Sequence, residues 1–271
     1  ALASAYVENV TQRFALDGNS FVVEIASNDG YLLRNFLRPG IPCLGIAPAH
    51  GTAPAAERLG IPVLREFFNS ALARRLAVEN KADLIIGNNV YAHVPDINDF
   101  TLGMRELLKD DGVITLEFPH LMQLIDNNQF DTVYHEHFSY LSLHVVRRIF
   151  AGAGLRIWDV EELPTHGGSL RVYGCHADAE RETKASVTAM LEREAAGGLL
   201  RLGHYMAFQR KADRVKDDLL MFLIEQKRAG RSVAAYGAAA KGNTLLNYAG
   251  VKPDLVPFVC DAAAAKQGKY M

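Results

Sequence analysis

At 271 residues, with 49% apolar side chains, the chain is long enough to fold as one large domain or two smaller ones around a substantial core. A formal charge of −2 gives no general attraction for nucleic acid or an anionic membrane surface, and no apolar run reaches membrane-spanning length. Three widely spaced cysteines, Cys43, Cys175 and Cys260, exclude a disulfide framework and a paired-cysteine zinc site, and predict a reducing, cytoplasmic setting without a secretory leader.

In chain order, residues 4–16 have the spacing of a short amphipathic helix. Residues 21–26 form a β-rich run broken by Ser27-Asn28-Asp29-Gly30, and residues 31–37 return to helical spacing before Pro39-Gly40. A second strand is predicted at 43–46, a helix from near Pro54, a third strand at 61–64 and a helix at 69–79. A fourth strand is predicted at 83–87, with a continuous apolar run after Asp83, as a strand covered on both faces should have. A helix over 96–109, a turn at Asp110-Asp111-Gly112 and a fifth strand at 113–118 follow. Ser142 can cap a helix that ends at Gly152 and Gly154, and two further strands are predicted at 155–160 and 169–174. Residues 178–229 have helical periodicity broken near Gly197-Gly198, and a new strand–turn–helix opens at 232 with a further strand at 256–261. This alternation predicts a doubly wound α/β sheet in residues 1–177, a helical connector in 178–230 and the start of a second α/β unit in 231–271, with both chain ends reading as cuts.

The loop Glu24-Ile25-Ala26-Ser27-Asn28-Asp29-Gly30 stands at the carboxyl end of the first strand, where a doubly wound sheet holds a nucleotide-like cofactor. Its spacing is not GxGxxG, which disfavours an NAD-dependent oxidoreductase. Asp29 would repel a pyrophosphate, so a cofactor with an amine and a sulfonium, S-adenosylmethionine, fits better; an ordinary Asx turn is the plainer alternative. The second strand ends at Ala47, where a ribose-binding carboxylate is usual in such folds. Phe67 and Phe68 are either adenine neighbours or core aromatics, and Asn88, Asn89 and His93 follow the fourth strand toward the same crevice.

Tyr134-His135-Glu136-His137 places four ionisable or hydrogen-bonding side chains in a row, costly to bury and unnecessary for folding. If extended, Tyr134 and Glu136 face one way and His135 and His137 the other, and the flanking Phe130, Val133, Phe138, Tyr140 and Leu141 suggest a pocket wall. A divalent metal on His93, His135 and His137 is one alternative. Lys241-Gly242-Asn243-Thr244 opens a helix and offers phosphate donors, but its order is not that of a Walker loop. His166-Gly167-Gly168-Ser169 and Arg171 offer further donors, as does plain turn chemistry.

Together, residues 23–33, 127–137, 166–171 and 236–244 resemble the sugar C-methyltransferases of deoxysugar biosynthesis, which act on nucleotide-linked 4-keto-6-deoxy sugars with S-adenosylmethionine. The resemblance runs from about residue 20 onward, and the middle motif is its most specific part. It implies a class I methyltransferase sheet, cofactor contacts at Glu24, Ala26, Ser27, Asn28, Asp29, Gly30, Ala47, Phe67, Phe68, Asn88 and Asn89, and a dTDP-linked 4-keto-deoxysugar near Glu117, His166, Gly167, Gly168, Ser169, Arg171, Lys241 and Asn243. It implies His137 as the base that removes the proton next to the ketone, Tyr134 as its partner or an enolate donor, Glu136 as an orienting or sugar-binding group, and His93 on the sugar or the oxyanion, with no metal. Which of His137, Tyr134 and His93 takes the proton stays open. Ala47 departs from the family's usual Glu, and the family's paired-cysteine zinc-binding domain has no counterpart in these residues. A non-catalytic nucleotide-sugar binding module is the other alternative, and a monomer or weak homo-oligomer is expected.

Overall fold

The structure, a computed structural model, describes residues 2–48 and 51–270. In chain order it contains α1 (Leu2–Arg13), β1 (Val22–Ile25), α2 (Arg34–Leu37), β2 (Cys43–Ile46), α3 (Ala53–Arg58), β3 (Val63–Leu64), α4 (Ser70–Glu79), β4 (Ala82–Asn88), α5 (Ile97–Leu107) and β5 (Leu108–Pro119). Then come α6 (Leu121–Asp126), α7 (Leu143–Gly152), β6 (Leu155–Leu163), β7 (Ser169–His176), α8 (Ala185–Ala196), α9 (Leu202–Arg228), β8 (Ala235–Tyr236), α10 (Ala240–Ala249) and β9 (Val259–Cys260). These fall into two compact units: Ala1–His120 with Phe138–Ala196, and Leu121–His137 with Gly197–Met271.

The first unit is a seven-stranded sheet in the order β3-β2-β1-β4-β5-β7-β6. Its strands are parallel except β7, which runs antiparallel to both β5 and β6. Strand β1 is buried throughout, and its three apolar residues divide between two cores. Val23 and Ile25 pack with α4, α5 and α7, and Val22 packs with α1, α2 and α3. The cap read at Ser142 is found, and Asn69 and Asp96 act in the same way: each accepts a backbone N–H in the first turn of α7, α4 and α5 respectively. On the α1 face, Arg13 is paired with Asp159 and lies over the rings of Trp158 and Tyr173 at 4.8 and 4.2 Å, which ties the first helix to the far strands.

Three local expectations are corrected. Asp110-Asp111-Gly112 is not a free turn between helix and strand but lies inside β5, where pairing jumps from Ala82–Leu108 to Leu84–Val113. The irregularity is held by Lys109, whose ammonium meets Asp83 at 2.8 Å, and it needs Gly112, because a Cβ there would stand 2.9 Å from the Ala82 carbonyl oxygen. Helix at 31–37 is confined to Arg34–Leu37, after a turn in which Asp29 accepts the Tyr31 amide at 3.2 Å. The last two strands of this sheet run on to Leu163 and His176 because they pair with each other over their full length.

In the second unit, β8 and β9 form a two-stranded parallel sheet, with α10 between them in sequence. Helix α9 is one continuous helix of 27 residues, and the break expected at Gly197-Gly198 falls just before it. Tyr248 of α10 donates to Asp213 of α9 at 2.5 Å and packs on Phe130 with ring centroids 5.3 Å apart, so the 121–137 stretch belongs to this unit. Among the described residues no helix is long and apolar enough to cross a membrane.

Gly174 in β7 faces the fully buried Phe150, and a Cβ there would lie 2.4 Å from the ring. Gly174→Ala is expected to cost about 1–3 kcal/mol, because neither the ring nor the paired strand can retreat. A urea midpoint that stays at the wild-type value would contradict that packing.

Candidate functional site

The carboxyl ends of β1 and β4 are neighbours, with Glu24 opposite Ile86. Glu24 faces the α1 side of the sheet and is 3% exposed, with Oε2 buried and unpaired. Burial, then the nearby Asp29 carboxylate, pushes its acid well above the usual range. After β1 the backbone turns through Ala26 at φ 63°, Asn28 at φ 50° and Gly30 at φ 74°. A left-handed alanine is strained by about 1–2 kcal/mol, and strain of this kind collects at functional loops. Gly30 also needs its bare Cα, since a Cβ would stand 2.5 Å from Ile61. Ser27 is buried with an unpaired hydroxyl, made possible by Gly45, whose Cβ would lie 2.4 Å from that oxygen. Asn28 and Asp29 are exposed.

Asn88 ends β4 and Asn89 follows at φ 51°; each has a buried side-chain oxygen without a partner. Four buried, unpaired oxygens therefore stand on the loops and strand ends of β1 and β4: Glu24 Oε2, Ser27 Oγ, Asn88 Oδ1 and Asn89 Oδ1. All four can accept, and this set suits a ligand rich in N–H and O–H donors and carrying positive charge, not a phosphate. Ala47 is buried and donates its amide to the Leu64 carbonyl, supplying no side-chain polar group. Phe68 is a core residue packed edge-on against Phe100 at 5.2 Å, while Phe67 is 78% exposed.

On the same sheet face, Glu117 accepts from Arg171 at 2.7 Å and from the Thr165 hydroxyl at 2.8 Å. Arg171 lies over the Tyr6 ring at 4.6 Å, and Tyr6 bonds Thr115 at 2.6 Å. Tyr31 was not foreseen. Burial, then Glu24, Glu117 and Asp29, raise its phenol while Arg171 opposes them, so this half-exposed ring stands among the same charges. His166 adopts φ 55° in a 3-10 turn with Gly167 beside it, both exposed; Gly168 and the buried Ser169 lead into β7. His93 closes a 3-10 turn after β4, and the amides of Phe138 and Ser139 donate to the Ala92 carbonyl at 2.9 and 3.2 Å.

In the second unit the 134–137 stretch is a tight turn, not an extended segment: the His137 amide donates to the Tyr134 carbonyl at 3.1 Å. The expected pairing of Tyr134 with Glu136 on one side is therefore replaced. Tyr134 and His137 come together, ring centroids 4.6 Å apart and planes at 41°, while His135 and Glu136 at the tip are exposed. The turn forms because residues 130–132 wind into a 3-10 helix whose Thr132 carbonyl takes the His137 Nδ1–H at 2.8 Å. That bond puts the imidazole lone pair on Nε2. Orientation by a main-chain carbonyl carries no side-chain signature, so sequence could not show it. Val133 and Phe138 are 49% and 60% exposed, which corrects the expected pocket wall at those two residues. Burial, then Glu136 and Asp131, raise the Tyr134 phenol, which keeps it an O–H donor. Lys241 and Asn243 lie in the first turn of α10, and Asn243 lines an open cleft of ≈1080 Å³ together with Asp261 and Lys266. Among the described residues no three His, Cys, Asp or Glu side chains stand at metal-holding spacing.

A family model described as a methyltransferase domain matches residues 2–160, and one described as a C-methyltransferase C-terminal domain matches residues 164–271. The C-methyltransferase NovU of Streptomyces niveus is 34% identical over 266 residues, covering 98% of this chain; the chain spans 63% of that relative's length. Among solved structures, an S-adenosylmethionine-dependent methyltransferase from Clostridium acetobutylicum aligns with a TM-score of 0.51 at 10% identity, over 64% of this chain and 90% of its own. Magnesium protoporphyrin IX methyltransferase from Synechocystis, solved with bound SAH, aligns with a TM-score of 0.50 at 14% identity, over 64% and 83%. These likenesses establish the fold, a class I methyltransferase sheet of the Rossmann-like type. The chain belongs to the methyltransferase-domain family, with a C-methyltransferase C-terminal domain following that domain in sequence.

Proposed function

We propose that the protein is an S-adenosylmethionine-dependent C-methyltransferase acting on a carbon next to the C4 ketone of a dTDP-linked 4-keto-deoxysugar. The observation that carries the cofactor is the set of four buried acceptor oxygens at the β1 and β4 ends, each lacking a donor. The amine and ribose hydroxyls would supply those donors, and Glu24 would meet the positive charge. Asp29 adds negative charge to the same loop. S-adenosylmethionine supplies, when bound, a methyl group electrophilic enough to need no metal.

The substrate reading rests on the NovU relative and on the residue pattern that resembles sugar C-methyltransferases. His137 is the base. Its Nδ1–H donates to the Thr132 carbonyl, and Nε2 takes the proton beside the ketone. Tyr134, kept protonated, donates its O–H to the developing enolate oxygen. His93 contacts the sugar. Glu117, Arg171 and the 166–169 turn bind the sugar or its phosphates, with Lys241 and Asn243 adding donors at the start of α10. Glu136, exposed at the tip of its turn, orients a histidine or binds the sugar.

Incubation with the cofactor and a panel of dTDP-4-keto sugars should yield one product heavier by a single methyl group in mass spectrometry; no gain with any of them would sink the reading. His137→Asn should cut turnover by about a hundredfold or more, the usual worth of a general base, and leave cofactor affinity within about twofold. A variant turning over at the wild-type rate removes His137 from the mechanism.

Glu24 gives a prediction with opposite signs for stability and binding. Its folded acid is raised, so above the ordinary carboxylate value of about 4.3 the native state keeps a proton that the unfolded chain has lost. Stability contributed there falls as pH rises through that window. Glu24→Gln removes the fall, so its Tm at pH 8 should exceed that of the wild type. Calorimetry should show cofactor binding weakened about tenfold or more, the worth of one charge-assisted hydrogen bond. Unchanged affinity would take Glu24 out of the cofactor site.

A further inference from the structure

Glu194 lies on α8, outside every residue considered so far for the reaction, and it is 0% exposed. A buried carboxylate is costly unless fully hydrogen-bonded. Here four N–H groups meet it. Oε1 takes the Leu143 amide at 2.6 Å and His120 Nε2 at 2.8 Å; Oε2 takes the His144 amide at 3.0 Å and His144 Nδ1 at 2.7 Å. Burial raises this carboxyl, but the His120 and His144 hydrogen bonds and the Leu143 amide bring it below the usual range. The other His120 ring nitrogen is buried without a partner, so Glu194 holds that ring.

The four donors have a common meaning in the chain. His120 is the last residue before the 121–137 stretch, and Leu143 and His144 open α7 shortly after it. His120 also bridges Leu141 and gives its amide to the Gly168 carbonyl at 3.0 Å. One carboxylate therefore fastens the stem by which residues 121–137 leave the first unit and the stem by which they return. That stretch carries Tyr134 and His137.

We propose that Glu194 is a positioning residue: it holds together His120 and the start of α7, the two ends between which the stretch carrying Tyr134 and His137 runs. The effect on catalysis rests on the methyl-transfer reading; the fastening itself does not. Glutamine is a demanding replacement, because all four neighbours are donors and its amide would turn N–H groups against one of them.

The test uses the full chain as Glu194→Gln and, as a milder second variant, His144→Ala, whose ring is 20% exposed and carries one of the four contacts. Backbone hydrogen exchange, read by mass spectrometry, should speed up about tenfold or more for peptides covering 138–146 in Glu194→Gln and by less in His144→Ala. Peptides from β1 and β4 should be unaffected. In methyl transfer, kcat should fall about tenfold or more while the dissociation constant of the cofactor stays within about twofold. A loosened core would move both constants together. Unchanged exchange over 138–146, or a fall in kcat matched by lost cofactor affinity, overturns the proposal. If Glu194→Gln does not fold, the same readings on His144→Ala decide it. If the wild-type protein transfers no methyl group, the proposed function fails and the exchange comparison still decides the role of Glu194.

Discussion

A carboxylate buried with one oxygen unpaired is the constraint on which the site depends. Glu24 is in that position because β1 is covered on both faces, and because parallel pairing with β4 brings two asparagines to the same edge. Such an arrangement costs stability in the empty protein and gains affinity for a ligand that brings donors and positive charge. Gly45 and Gly30 serve the same end. Each removes a Cβ where Ser27 or Ile61 must approach, so the loop after β1 can close without covering its acceptors.

Much of the fold was legible. The continuous apolar run in β4 reports burial on both faces, and the cap Ser142 carries its own chemistry in its side chain. The bulge at 109–112 was not, because Asp-Asp-Gly has the composition of a turn and only the partner strand shows that pairing resumes beyond it. Local pattern likewise cannot tell Phe67 from Phe68, yet one is 78% exposed and the other meets Phe100 in the core.

The 134–137 cluster was legible in residue type more than in arrangement. A cluster of Tyr, His, Glu and His stands out by residue type whatever its backbone does, but alternation assumes a strand. The 3-10 winding at 130–132 cancels that assumption and exchanges the partner of Tyr134 from Glu136 to His137. One group that holds the imidazole is the main-chain oxygen of Thr132, which every residue possesses and no motif can flag. Tyr6, Tyr31 and Glu194 escaped notice for a related reason: each acts across a long sequence separation, from an element whose own pattern reads as ordinary helix or loop.

The chain passes from one unit to the other at three points, after His120, after His137 and after Ala196. The 134–137 cluster is thus encoded within the methyltransferase domain but built as part of the second unit. Recombination between relatives at a single crossover near residue 197 would join a foreign α9 and α10 to a resident 121–137 stretch, separating Phe130 from the tyrosine it packs on. A module swap that preserves this packing therefore requires two inherited segments to travel together.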